Sequence, residues 1–274
     1  MASSMIGRIF LVTGATDGIG KHTATKLAKL GATVLLHGRS RRRLDQAVKD
    51  IKEQTKNEHL DTFVADFSSL AQVRKLSEDI HQRYNHLDVL INNAGVLSLT
   101  REESTDGYEL TFAVNVLAPF LLNSLLLDLV KKGANSRIIN VSSISQDDEI
   151  NFDDLQFTMT MYGRGGKAYA LSKLCDVMFT YDMAELFSET GITVNCLDPG
   201  TVNTKMLIPT WGACGIEVED ADNEYQLATN PAYNGITGKY FINGKDRRSS
   251  SISYDKNVRK RLWDILVDMT GANF

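Results

Sequence analysis

The sequence predicts a doubly wound α/β fold, with about seven parallel strands and helices on both faces, and three observations lead there. Short apolar, β-branched runs alternate with segments of helical periodicity along the whole chain, the pattern of repeated strand–helix–strand units. The runs are apolar on successive residues, as strands covered on both faces require. The first run passes through a glycine-rich turn directly into a helical pattern, which is how such sheets begin.

The elements follow in order. Ile9-Phe10-Leu11-Val12 is the first strand, Thr33-Val34-Leu35-Leu36 the second and Thr62-Phe63-Val64-Ala65 the third. Helices are expected after the second and third, from about Arg41 to Gln54 and from about Leu70 to Tyr84. Asp88–Asn92, Arg137–Val141, Thr193–Leu197 and Gly238–Ile242 continue the sheet. The helix expected from about Tyr108 to Lys131 is apolar around most of its circumference, so either the fold buries it or it meets a second copy in a homodimer. Pro119 within it implies a bend or a break in hydrogen bonding. Two segments, 144–168 and 205–235, show no regular pattern. They follow strands, at the edge where such sheets bind ligands, and are read as substrate loops.

Composition limits the function. At 274 residues, 43% apolar and 23% charged, the chain suits one soluble domain spanning 1–274. A net charge of −4 calls for neither nucleic acid nor an anionic membrane. Cys175, Cys196 and Cys214 are too scattered for a disulfide framework or a metal site, and the histidines have no ligand spacing. No run reaches the ~18 apolar residues of a membrane span, and residues 1–7 carry no targeting signal. The expectation is a cytoplasmic, reducing compartment.

In the turn Thr13-Gly14-Ala15-Thr16-Asp17-Gly18-Ile19-Gly20, Gly14 lets the chain leave the strand sharply. Gly18 leaves room for a pyrophosphate, and Gly20 lets the helix pack closely on the sheet. The helix N-terminus then offers free N–H groups to an anion. Further on, Tyr169 and Lys173 stand four apart, on one face of a helix. A free phenol has a pKa near ~10, too high for acid–base work at neutral pH, and a neighbouring cation favours the phenolate. Asn140-Val141-Ser142-Ser143 places hydroxyls at the end of the fifth strand, where one can hydrogen-bond a substrate oxygen.

These motifs, in this order, resemble the short-chain dehydrogenase/reductase family along nearly the whole chain. Val141-Ser142-Ser143, Phe152-Asp153-Asp154-Leu155 and Gly238-Lys239-Tyr240-Phe241 look like the branch containing retinol dehydrogenases, protochlorophyllide reductase and WW-domain-containing oxidoreductase. The resemblance implies a Rossmann fold that interconverts a carbonyl and an alcohol on a small molecule. Ser143, Tyr169, Lys173 and Asn115 would be the catalytic set, with Ser142 structural. It further implies cofactor contacts from Gly14, Thr16, Asp17, Gly18, Ile19 and Gly20, from Asn93, Ala94 and Gly95, from Tyr169 and Lys173, and from Pro199, Gly200, Val202 and Thr204. Asp66, with Phe67, is placed to meet the adenine, although an Asp after a strand also serves as a helix cap.

Where an NAD enzyme carries an acid at the end of the second strand, this chain has Gly38 followed by Arg39. A guanidinium suits a 2′-phosphate, and Arg43 adds a second, so NADP(H) is expected over NAD(H). Asp17 runs against that preference unless it caps the following helix. Phe152, Met159, Met161, Tyr162, Met206, Leu207 and Trp211 either line a pocket for a bulky apolar substrate or pack the loops. Two other readings are a cofactor-binding scaffold without useful catalysis and a reductase of an activated carbon–carbon double bond. The complete set of four speaks against the first, and Cys175 and Cys196 supply no evident thiol donor for the second.

Overall fold

In the computed structural model, which describes residues 4–274, the apolar runs form one sheet. Its parallel strands are β1 (Ile9–Val12), β2 (Thr33–Gly38), β3 (Leu60–Val64), β4 (Val89–Asn92), β5 (Arg137–Val141), β6 (Thr193–Asp198) and β7 (Tyr240–Ile242). An eighth, β8 (Lys245–Arg247), pairs antiparallel with β7, and the order is β3-β2-β1-β4-β5-β6-β7-β8. The winding reverses between β1 and β4, so a crevice opens there at the carboxyl ends of the strands.

Successive side chains of a strand point to opposite faces, and β1 divides accordingly. Ile9 and Leu11 join one core with Leu35, Leu90 and Ile138; Phe10 and Val12 join another with Leu36, Ile91 and Leu197. The second core is closed by α1 (Gly18–Lys29) and α2 (Arg41–Thr55). The first is closed by α3 (Leu70–Arg83) and by the long apolar segment near the middle of the chain.

That segment departs from the expected single helix over 108–131. It is broken into α4 (Leu110–Phe112), a π-helical turn over Ala113–Leu117, α5 (Ala118–Leu125) and α6 (Leu127–Lys131). Pro119 stands in the first turn of α5, where its missing N–H is tolerated. The apolar residues of this segment lie within the chain's own core, which accounts for its composition without a second copy. Next come α7 (Gly166–Leu186), α8 (Ile208–Trp211), α9 (Asn223–Thr229) and α10 (Lys256–Thr270). Segment 205–235, expected to be irregular, therefore holds two short helices. Among the described residues, no helix is long and apolar enough to cross a membrane. The reading of the extreme N-terminus falls in part on residues 1–3, outside the described residues.

Candidate active site

The crevice is a groove of about 350 Å³ floored by the turn between β1 and α1. The turn is held by the end of β4. Asn93 donates through Nδ2 to Thr13 O at 2.7 Å, while Thr13 Oγ1 accepts from the backbone of Asn93 (2.9 Å) and Ala94 (3.0 Å). A Cβ on Gly20 would stand 2.3 Å from Asn93 Nδ2 and 2.6 Å from Gly14 O, so only glycine fits. Gly14 has φ +69° and Gly18 φ +52°, the left-handed region. A turn with no side chain at 14, 18 and 20, leading into a helix N-terminus, suits the pyrophosphate of a dinucleotide, and the residues present fit that group.

At the β2 end, His37 is buried and stacked on Phe67, ring centroids 4.2 Å apart. Its Nδ1 accepts from Gly14 N and its Nε2 donates to Ala65 O at 3.0 Å, the neutral tautomer. Burial lowers its pKa to about 4, against the pull of Ala65 O and Asp66. A Cβ on Gly38 would meet Thr16 Cγ2 at 2.5 Å, so a side chain at that position needs Thr16 to shift. Asp17 caps α1 by accepting from Gly18 N at 2.9 Å. Its other oxygen pairs with Arg43 Nη2 at 3.1 Å and with Lys205, so the carboxylate faces two cations. Despite burial, Lys205, Gly18 and Arg43 hold Asp17 below the usual carboxylate range. Asp66 accepts from Ser68 N at 2.9 Å, a turn contact, while Ser69 caps α3.

On the other wall, Tyr169 and Lys173 stand one turn apart on α7, with the ammonium 5.7 Å from the phenol ring centroid. Lys173 is buried, 5% exposed, and donates to Val141 O at 2.8 Å and Asp176 Oδ2 at 2.9 Å. Ser142 Oγ donates to Lys173 O at 2.7 Å and so ties β5 to α7. Asn115 lies in the π-helical turn, 2% exposed. It accepts from Val96 N (2.8 Å), donates to Val96 O (2.9 Å) and donates to Ser172 Oγ (3.0 Å). The extra residue of a π turn re-aims one side chain, and here Asn115 joins the strand-end segment to α7.

Of the residues expected to bind cofactor, Gly14, Thr16, Asp17, Gly18, Ile19, Gly20, Arg39, Arg43, Asp66, Phe67, Asn93, Ala94, Gly95, Tyr169, Lys173, Pro199 and Thr204 line the groove. Gly200 and Val202 do not; Val202 is buried in a bridge to Ile216, because the chain turns inward there. Ser143 and Asn115 also stand outside the lining. Ser143 is partly buried, its Oγ accepting from Ser145 N at 3.1 Å. Of the apolar candidates for a substrate pocket only Met206 lines the groove. Phe152 and Tyr162 pack on the core, and Met159, Met161 and Trp211 are exposed. The sequence reading missed Lys205 and Asp176; the charged type at i+3 from Lys173 was the available signal for the second.

Residues 8–213 match the short chain dehydrogenase family. The chain belongs to that family of oxidoreductases, in a branch like the retinol dehydrogenases. It is 35% identical to human polyprenol dehydrogenase, covering 97% of this chain and 86% of that protein. It is also 35% identical to human retinol dehydrogenase 14, covering 97% and 87%. Among solved structures, a short-chain dehydrogenase from Escherichia coli CFT073 complexed with NADPH is similar at TM-score 0.72 and 27% identity, covering 87% of this chain and 97% of that one. An uncharacterised Mycobacterium paratuberculosis protein shares the fold at TM-score 0.82, 24% identity and coverage of 100% and 97%.

Proposed function

We propose that the protein is an NADP(H)-dependent oxidoreductase interconverting a carbonyl and an alcohol on an apolar small molecule. The observation that carries the reading is the placement of Tyr169 and Lys173 on one turn of α7, facing the groove floored by the glycine turn. Bound along that floor, a nicotinamide dinucleotide supplies or accepts the hydride. Tyr169 gives or takes the proton at its phenol oxygen, and the Lys173 ammonium favours the phenolate and meets the ribose. Ser143 turns its hydroxyl from Ser145 N to the substrate oxygen, where charge develops. Asn115 holds the segment at Val96 against α7.

Three observations favour NADP(H). Position 38 carries no acid and is crowded by Thr16, Arg39 and Arg43 line that end of the groove, and Asp17 is already paired with Arg43 and Lys205. The names of the relatives, polyprenol and retinol dehydrogenases, together with exposed Met159, Met161 and Trp211, favour an apolar substrate. The test is Tyr169→Phe, assayed with NADPH against retinoids, steroids, terpenoid ketones and small aldehydes. Turnover should fall by roughly 10²–10⁴-fold with NADPH affinity retained. Turnover unchanged in the variant, or NADPH bound by the parent with no substrate turned over, would overturn the reading; the second result leaves a cofactor-binding scaffold.

A further inference from the structure

Lys173 has one neighbour that the four-residue set leaves out. Asp176, one turn further along α7, is 3% exposed, and its Oδ2 accepts from the Lys173 ammonium at 2.9 Å. On a helix surface such a pair contributes a few tenths of a kcal/mol. Buried, it bears on which charge state each partner can hold.

Burial works against the Lys173 ammonium, and Asp176, with Tyr169, outweighs it, so the amine is held above its ordinary range. The groups facing the pair come from three elements. Cys175 lies on α7, Cys196 on β6 and Glu224 on α9. Burial pushes both thiols up and keeps them neutral. Glu224, fully buried with Oε1 unpartnered, is pushed up to about 8 by burial, while burial raises Asp176 only to about 6 against the pull of Lys173. Around neutral pH, Asp176 is therefore the one ionised partner of Lys173 among these groups.

Geometry adds direction to charge. An ammonium has three N–H groups. Val141 O and Asp176 Oδ2 take two, at 2.8 and 2.9 Å, and the third has no partner among the described residues, while Lys173 itself lines the groove beside Gly95. We propose that Asp176 is a positioning residue: its carboxylate keeps the buried Lys173 ammonium charged and turns its remaining N–H to the groove. Without it, one backbone carbonyl would hold a buried cation that is free to lose its proton.

This role rests on the dinucleotide reading above, and the experiment separates the two. NADPH affinity, read by fluorescence, and turnover are measured from about pH 6.5 to about pH 9.5, a window bracketing the range where a destabilised lysine releases its proton. Both variants are made together with Glu224→Gln, because Glu224 ionises at about 8, inside the window, and also favours the Lys173 ammonium; they are Asp176→Asn, which keeps an acceptor but no charge, and Asp176→Glu, which restores the charge. The parent should bind NADPH evenly across the window. Asp176→Asn should bind within about threefold of the parent near neutrality and weaken by roughly tenfold toward the alkaline end, with turnover following; Asp176→Glu should return toward the parental profile. A parent that binds no NADPH removes the dinucleotide reading and this role with it. A parent that binds, with Asp176→Asn tracking it or weaker by one factor at every pH, removes the role alone. Should the variants not fold, NMR of ε-¹³C-lysine in the parent, assigned with Lys173→Met, decides: Lys173 titrating above about pH 10 supports the role, and titration below about pH 9 overturns it.

Discussion

The glycine turn and the two loop segments are built by different means. The turn between β1 and α1, held by β4, is fixed by backbone: Thr13, Gly14, Gly20 and Asn93 lie so close that a single added methyl would collide. The segments 144–168 and 205–235, of which only Lys205 and Met206 line the groove, are fixed by a few buried anchors with loose chain between them. Glu109 accepts from Tyr162 at 2.8 Å and from the start of α4, and Asp154 gathers the amides of Thr158, Met159 and Thr160. Between the anchors, Met159 and Met161 are 72% and 86% exposed. Backbone crowding dictates residue identity, whereas an anchored loop dictates only its anchors.

The sharpest way to break this contrast is to add one methyl to each region. Gly20→Ala places a carbon 2.6 Å from a backbone oxygen that cannot move cheaply, so about 1–3 kcal/mol of stability and most NADPH binding should be lost. Gly166→Ala, in the first turn of α7, meets nothing within 4 Å and should stabilise by roughly 0.4–1 kcal/mol. Urea midpoints and NADPH titration read both. If the two variants behaved alike, the distinction between crowded and loose regions would fail. Next in size is Arg39→Ala, expected to weaken NADPH by about tenfold or more while leaving NADH nearly unchanged, because a charge-assisted contact to the 2′-phosphate goes.

The same contrast explains what was legible in the sequence. β1, β2 and β4 through β7 were readable because strands covered on both faces are mostly apolar, and the turn because its glycines are obligatory; β3, an edge strand in which only Phe63 is buried, was placed two residues late, at 62–65. β8 was not: Lys245, Asp246 and Arg247 are all exposed and leave no apolar run. The signal for it was Asn243-Gly244, both at positive φ between β7 and β8, as a two-residue hairpin demands. Within 108–131 Pro119 announced a break, but the π turn over Ala113–Leu117 was hidden because it leaves the hydrophobic pattern intact. α10 was not read, although Leu262 and Leu266 fall four apart and are buried. Tyr169 and Lys173 were picked out by spacing together with the resemblance, and both line the groove. Asp176 was overlooked because an acid in the middle of a helix reads as solvated surface until burial is known.

A smaller effect tests whether α9 belongs with the tight region or the loose one. Glu224 is wholly buried against Thr23 of α1, to which its Oε2 is bonded at 3.1 Å. Its folded value of about 8 lies above the ordinary 4.5, so between those values the folded state keeps a proton that the unfolded chain has released. Stability therefore falls as pH rises through that window. His37 has lost its proton in the folded state, while in the unfolded chain it is half-protonated at pH 6.5; that contribution is the same in parent and variant and cancels in their difference. Between pH 6.5 and pH 8, Glu224→Gln should remove a decline of about 1–2 kcal/mol, read as urea midpoints at the two pH values. Equal slopes in parent and variant would place Glu224 in contact with water and α9 among the loose elements.

The smallest effect on stability concerns the exposed methionines, and it decides what the loose region is for. Met159→Ser with Met161→Ser removes two apolar side chains that touch little, so the urea midpoint should move by no more than about 0.5 kcal/mol. NADPH affinity should not change, because neither residue lines the groove. If these side chains lie along the path of an apolar substrate, KM rises severalfold with kcat kept, since contacts made equally in ground and transition states affect binding alone. An unchanged KM would leave the two methionines outside that path and shift attention to Met206, which does line the groove, and to Trp211 on the opposite segment. Because the anchors Glu109 and Asp154 stay intact in this variant, a change in KM reports contact with substrate and not collapse of the loop.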